Sequence, residues 1–107
     1  MDLKGKHALV TGSTSGIGLG IAEGLAKAGV NLVLNGFGDK NDIEALRMRL
    51  ATDYGVQVLY DGADMSKGSD IARMMSELAA KTGGIDIVVN NAGIQHVSPV
   101  EVFPDAK

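Results

Sequence analysis

The stretch Thr11-Gly12-Ser13-Thr14-Ser15-Gly16-Ile17-Gly18 stands directly after the apolar run Ala8-Leu9-Val10 and before a segment with helical apolar spacing. Glycine loses more backbone freedom on folding than any other residue, so three glycines at one junction mark unusual dihedrals or a close approach to the backbone. The stretch therefore demands a strand, a tight turn and a helix in that order, and it leaves main-chain N–H groups uncovered at the turn.

The rest of the chain repeats that alternation. Ala8-Leu9-Val10 is a predicted strand, followed by a helix carrying Ile17, Ile21, Leu25 and Ala28 on one face and closed by Gly29. Leu32-Val33-Leu34 is a second strand, continuous in apolar residues as one buried on both faces should be, and ends near Asn35. After the loop-like NGFGDKND, Asn41 and Glu44 suggest a capping box, with Ile43, Leu46, Leu50 and Tyr54 on the helix stripe up to Gly55. Val56 to Tyr60 is a third strand. Ser66 is a candidate cap for a third helix with Ile71, Met74, Met75, Leu78 and Ala79 inward. Ile85 to Val89 is a fourth strand, running into Asn90-Asn91-Ala92-Gly93. Four strands and three helices in alternation predict an α/β, doubly wound parallel sheet of Rossmann type, with residues 1–107 forming the N-terminal part of a single domain.

Composition narrows the function. The 107 residues carry a formal net charge of −3 and no cysteine. No basic stripe is present to neutralise nucleic-acid phosphates, so nucleic acid is not an expected partner. Without cysteine there is no disulfide, thiolate nucleophile or zinc–thiolate centre, and no metal site is expected. The start lacks a signal-peptide core and no apolar run has the length of a membrane span, so the expected setting is cytoplasmic, away from membranes.

At a strand-to-helix junction the glycine loop suits a phosphate, because helix N-terminal N–H groups have no intrahelical partners and sit at the positive end of the dipole. Gly12 allows the turn, Gly16 lets a pyrophosphate reach the backbone, and Gly18 lets the helix pack closely. A nucleotide-triphosphatase loop would require Gly-Lys-Ser/Thr at its end, whereas Ile17, Gly18 and Leu19 follow Gly16. Asp64, after the third strand in GADMS, is a candidate helix cap.

Thr-Gly-x-x-x-Gly-x-Gly at Thr11 to Gly18, with Asn-Asn-Ala-Gly at Asn90 to Gly93, resembles the short-chain dehydrogenase/reductase family along essentially the whole chain. The resemblance implies a nicotinamide dinucleotide held by Gly12, Ser13, Thr14, Ser15, Gly16, Ile17 and Gly18, with Ala63, Asp64 and Met65 at the adenine. It also implies that Asn91, Ala92 and Gly93 run along the ribose, while Asn90 ties neighbouring strands. At the usual ribose-binding acidic position stands Gly36, followed by Phe37, which could cover the adenosine face. Because no Arg or Lys occupies Ser13, Thr14 or Ser15 to receive a 2′-phosphate, NAD is the expected cofactor, with Lys40 the one nearby cation.

NGFG at Asn35 to Gly38 and NNAGIQH at Asn90 to His96 resemble, within that family, the bacterial-type 3-hydroxybutyrate dehydrogenases. This implies interconversion of (R)-3-hydroxybutyrate and acetoacetate, with Gln95 donating its amide to the substrate carboxylate, in a homotetramer. The alternatives are an NADPH-dependent 3-oxoacyl reductase of the same family and a non-catalytic nucleotide-binding module. The family's catalytic Ser, Tyr and Lys fall beyond Lys107, and the family fold takes about 250 residues. The 107 residues thus read as a truncated cofactor-binding half, expected to be inactive alone and to leave the fourth strand's edge uncovered.

Overall fold

We describe residues 3–91 of a computed structural model; Ala92, Gly93 and Gln95 lie outside the described residues. The elements run β1 His7–Val10, α1 Gly16–Lys27, β2 Asn31–Leu34, α2 Lys40–Tyr54, β3 Val58–Tyr60, α3 Gly68–Thr82 and β4 Ile87–Val89. The four strands pair in parallel in the order β3-β2-β1-β4. The chain steps outward from β1 to β3 and then crosses back to β4. The reversal lies between β1 and β4, where loops at the strands' C-terminal ends part and leave a crevice.

Both faces of the central strands are covered, which is why they read as unbroken apolar runs. Val10, Leu32, Leu34 and Val58 pack with Ala22, Ala26 and Leu50 on the α1 and α2 side, and Leu9, Val33 and Ala63 with Met74 and Leu78 of α3 on the other. Alternation of period two sends Leu9 and Val10 to opposite faces. In the register row Leu59–Val33–Leu9–Val88 the outermost member, Val88, is 55% exposed.

Local boundaries depart from the sequence reading where side chains replace main-chain partners. β3 begins at Val58 rather than Val56, because Asn31 Oδ1 accepts the Gln57 N–H (2.9 Å) in place of a strand carbonyl. β4 begins at Ile87 rather than Ile85, and there Asp86 Oδ2 accepts the His7 N–H (2.9 Å). The cap of α2 is Asp39, which accepts from Asn41 N (2.9 Å) and Asp42 N (3.1 Å), not Asn41; Glu44 is drawn instead to Arg47. Ser66 does not cap α3, whose first flanking residue is Lys67, because its hydroxyl donates to Asp64. Gly29 does take the left-handed conformation expected after α1, with φ +87°.

The buried face of α1 is Gly18, Ala22 and Ala26, not the stripe of larger residues; Ile17 is 72% exposed. Large side chains would hold the helix away from the sheet, so the line of nearest approach falls to the small ones. Leu25 and Ile21 pack from its flanks.

Candidate functional site

The C-terminal ends of β1, β2 and β3 deliver three loops to one edge of the sheet. The glycine loop turns at Gly12 (φ +61°) and Gly16 (φ +62°), both in the left-handed region. A Cβ built on Gly18 would stand 2.1 Å from the Gly12 carbonyl oxygen and 2.7 Å from Asn91 Nδ2, so α1 starts against the loop's own backbone. At Gly16 a Cβ would meet nothing within 4 Å, leaving the main chain open to an incoming group.

The start of α1 is unlike that of α2. Ser15 flanks it without a side-chain cap, and no acidic residue stands in its first turn, whereas Asp39 caps α2 and Asp42 lies in that helix's first turn. The first N–H groups of α1 have no intrahelical acceptor by geometry, and their dipole meets no carboxylate from the helix itself. An anion at this position would gain donors that the protein leaves unanswered.

Thr11 and the residues after β4 hold the loop from below. Asn91 N donates to Thr11 Oγ1 (2.9 Å), Thr11 Oγ1 lies 3.3 Å from Asn90 Oδ1, and Asn91 Nδ2 donates to the Gly12 carbonyl (3.2 Å). Asn90 thus links β4 to β1, as the resemblance implies. Asn91 braces the glycine turn through its amide, a role the sequence reading did not include.

The hydroxyl residues of the loop divide. Ser13 is fully buried, with its N–H on the Asn35 carbonyl (2.7 Å) and its Oγ accepting from Asn35 N (3.0 Å). Its side chain is an anchor for the loop rather than a surface for a ligand. Thr14 Oγ1 donates to the Phe37 carbonyl (3.2 Å), and a Cβ on Gly36 would come within 2.6 Å of Thr14 Oγ1. Tyr60 donates its hydroxyl to the Gly36 carbonyl at 2.5 Å. The NGFG segment is therefore clamped from two sides with no room for an acidic side chain at Gly36. Ser15 is exposed, and Ile17 and Phe37, the latter 74% exposed, present apolar surface to solvent.

On the third loop Ala63 is buried in the core, Asp64 and Met65 are half-buried, and Met65 packs beneath the loop against the α3 side of the core. Asp64 Oδ1 accepts from Ser66 N (2.9 Å) and Ser66 Oγ (2.6 Å). The Ser66 hydroxyl bond, then the Ser66 N–H, outweigh desolvation and hold the Asp64 carboxyl below its ordinary value, with the charge of Lys67 adding to the effect. A carboxyl lowered in the folded state stabilises above its unfolded pKa, and that contribution fades as pH falls through the folded value. Ser66→Ala is therefore expected to raise the Asp64 pKa and move the acid limb of unfolding to higher pH. Carboxyl-carbon NMR titration reads the shift directly, and an unmoved Asp64 would contradict this account.

Asn35, which the sequence reading took only as a strand end, is the buried junction of all three loops, and Tyr60 is the unforeseen clamp on the second. The signal for Asn35 was a polar residue closing an apolar strand. Burial and the neighbouring Asp61 push the Tyr60 phenol above its ordinary value. A general base needs a pKa near the working pH, so Tyr60 serves as a donor and not as a proton acceptor in catalysis. Among the described residues no group of three or more His, Asp or Glu could hold a metal, and no helix is long and apolar enough to cross a membrane.

A doubly wound parallel sheet with an uncapped first helix behind a glycine turn defines a Rossmann-type α/β protein. Residues 6–107 match the family described as short chain dehydrogenase, and the chain belongs to that family. It is 55% identical over 103 residues to a D-beta-hydroxybutyrate dehydrogenase of Cupriavidus necator, covering 95% of this chain and 39% of that protein. It is 54% identical over 99 residues to a D-beta-hydroxybutyrate dehydrogenase of Rhizobium meliloti, covering 92% of this chain and 38% of the relative. The chain thus spans well under half the length of these curated relatives. Its backbone matches an L-sorbose reductase of Gluconobacter frateurii, solved with NADPH and L-sorbose, with a TM-score of 0.78 and 36% identity over 92% of this chain and 40% of that one. Members of that family bind nicotinamide cofactors.

Proposed function

We propose that this chain is the cofactor-binding part of an NAD-dependent oxidoreductase interconverting (R)-3-hydroxybutyrate and acetoacetate. The observation that carries the reading is the uncapped start of α1 behind Gly12 and Gly16, with open space at Gly16, in a chain 55% identical to a D-beta-hydroxybutyrate dehydrogenase. When bound, NAD supplies the hydride acceptor for the substrate's alcohol carbon. The residues present fit it: the N–H groups of Gly16, Ile17 and Gly18 would hold the pyrophosphate, Thr14 and Ser15 would border it, and buried Ser13 anchors the loop. Asp64 and the main chain of Ala63 and Met65 bound the adenine. Ile17 and Phe37 screen the adenosine from water, and Asn91, Ala92 and Gly93 follow the ribose. Gln95 donates to the substrate carboxylate.

Preference for NAD over NADP is supported by the lack of Arg or Lys at positions 13–15. The competing reading, an NADPH-dependent 3-oxoacyl reductase, draws on the NADPH carried by the sorbose reductase neighbour. The assembled enzyme is proposed to be a cytoplasmic homotetramer. In the complete polypeptide, NADH formation from (R)-3-hydroxybutyrate is expected, with affinity for NAD at least about tenfold above that for NADP, a difference of about 1.4 kcal/mol. Tighter NADP binding would favour the reductase. Residues 1–107 alone are expected to form no NADH, since the family's catalytic Ser, Tyr and Lys fall beyond Lys107, and turnover by them would overturn that assignment.

A further inference from the structure

Two loops flank the adenosine half of the proposed site, and one buried side chain joins them. Asn35, just past the C-terminal end of β2, is 2% exposed. Its N–H donates to Ser13 Oγ (3.0 Å), and its carbonyl oxygen accepts from Ser13 N (2.7 Å), which secures the glycine loop. Its side-chain Nδ2 donates to the carbonyl oxygens of Asp61 (3.0 Å) and Ala63 (3.1 Å), which secures the loop leading to Asp64. Those two acceptors fix the orientation of the amide, because a reversed amide would press Oδ1 against two carbonyl oxygens.

The need for such a residue comes from the sheet. The last main-chain bond between β2 and the chain after β3 is Asp61 N to the Leu34 carbonyl (3.0 Å). Beyond it no further main-chain bond joins these two segments among the described residues, and the carbonyls of Asp61 and Ala63 take their donors from a side chain. Asn35 supplies both donors from a single short side chain while its backbone holds Ser13.

We propose that Asn35 is a positioning residue for the adenosine half of the cofactor, setting the separation between the phosphate-facing loop and the Asp64–Met65 segment so that both grip one ligand. The inference rests on the dinucleotide reading above. It makes Asn35 selective: losing its amide should loosen the adenine and phosphate grip while leaving the nicotinamide end and the chemical step alone. Asp at this position is nearly isosteric but, ionised, offers no donor and sets charge beside two carbonyls. Ser retains one donor.

The test is binding of AMP, nicotinamide mononucleotide and NAD to the complete polypeptide and to its Asn35→Asp and Asn35→Ser variants, together with KM for NAD and kcat. Asn35→Asp should weaken AMP and raise KM for NAD by roughly 10- to 100-fold, the range expected for unpaired buried carbonyls, with kcat at saturating NAD within about twofold. Asn35→Ser, the milder change should Asn35→Asp not fold, should weaken AMP less but in the same selective pattern. If the unaltered protein binds neither AMP nor NAD, the dinucleotide reading fails and takes this proposal with it. If the unaltered protein binds both, and the variants either bind AMP normally or lose AMP, nicotinamide mononucleotide and kcat alike, Asn35 is not a positioning residue and the dinucleotide reading stands.

Discussion

Gly18→Ala is expected to abolish useful dinucleotide binding, raising the dissociation constant by about 100-fold or more, and to destabilise the fold by about 2–3 kcal/mol. The added Cβ would lie 2.1 Å from the Gly12 carbonyl oxygen and 2.7 Å from Asn91 Nδ2, one a backbone atom and the other part of the brace beneath the turn. Relief requires α1 to move off the loop, which carries its N–H groups away from the pyrophosphate. Gly20, two residues on in the same helix, is the control: a Cβ there meets nothing within 4 Å. Gly20→Ala should therefore stabilise by about 0.5–1 kcal/mol through helix propensity alone. Isothermal titration with NAD and denaturant melts of both variants decide the matter, and equal behaviour of the two would refute it.

Leu34→Ala is expected to cost about 2–5 kcal/mol, enough to threaten a domain of ordinary stability. Leu34 is fully buried, lies in register between Val10 and Tyr60, and packs with Ala22, Ala26 and Leu50 under α1 and α2. The surrounding strands are tied by parallel ladders and cannot close around the void. Urea denaturation of the complete protein gives the value, and a loss under about 1 kcal/mol would show that the neighbouring strands close around the void.

The order and type of every element, the parallel sheet and the glycine turn were legible in the sequence because each rests on a local pattern. Continuous apolar runs marked strands buried on both faces, and the glycines at the first junction marked a turn that side chains could not make. Legibility ended where partners come from afar. Asn41 resembled a cap, but Asp39 was better placed to reach the free N–H groups. Ser66 resembled another, yet its hydroxyl found Asp64. The α1 stripe was misjudged because periodicity rewards large apolar residues, whereas the closest contact with the sheet is made by small ones.

From its own residues the chain determined an alternating α/β architecture and a candidate anion site of open backbone N–H groups at the start of its first helix, since hydrophobic periodicity and glycine dihedrals act over a few neighbouring positions. Only the tertiary structure decided which polar groups serve that site. Ser13 and Asn35 are 22 residues apart, Asn91 and Gly12 are 79 apart, and Tyr60 and Gly36 are 24 apart. No local pattern pairs them. They meet because parallel strands bring their C-terminal ends to one edge, where main-chain ladders stop and buried carbonyls and amides must be satisfied by whichever side chains the fold places there.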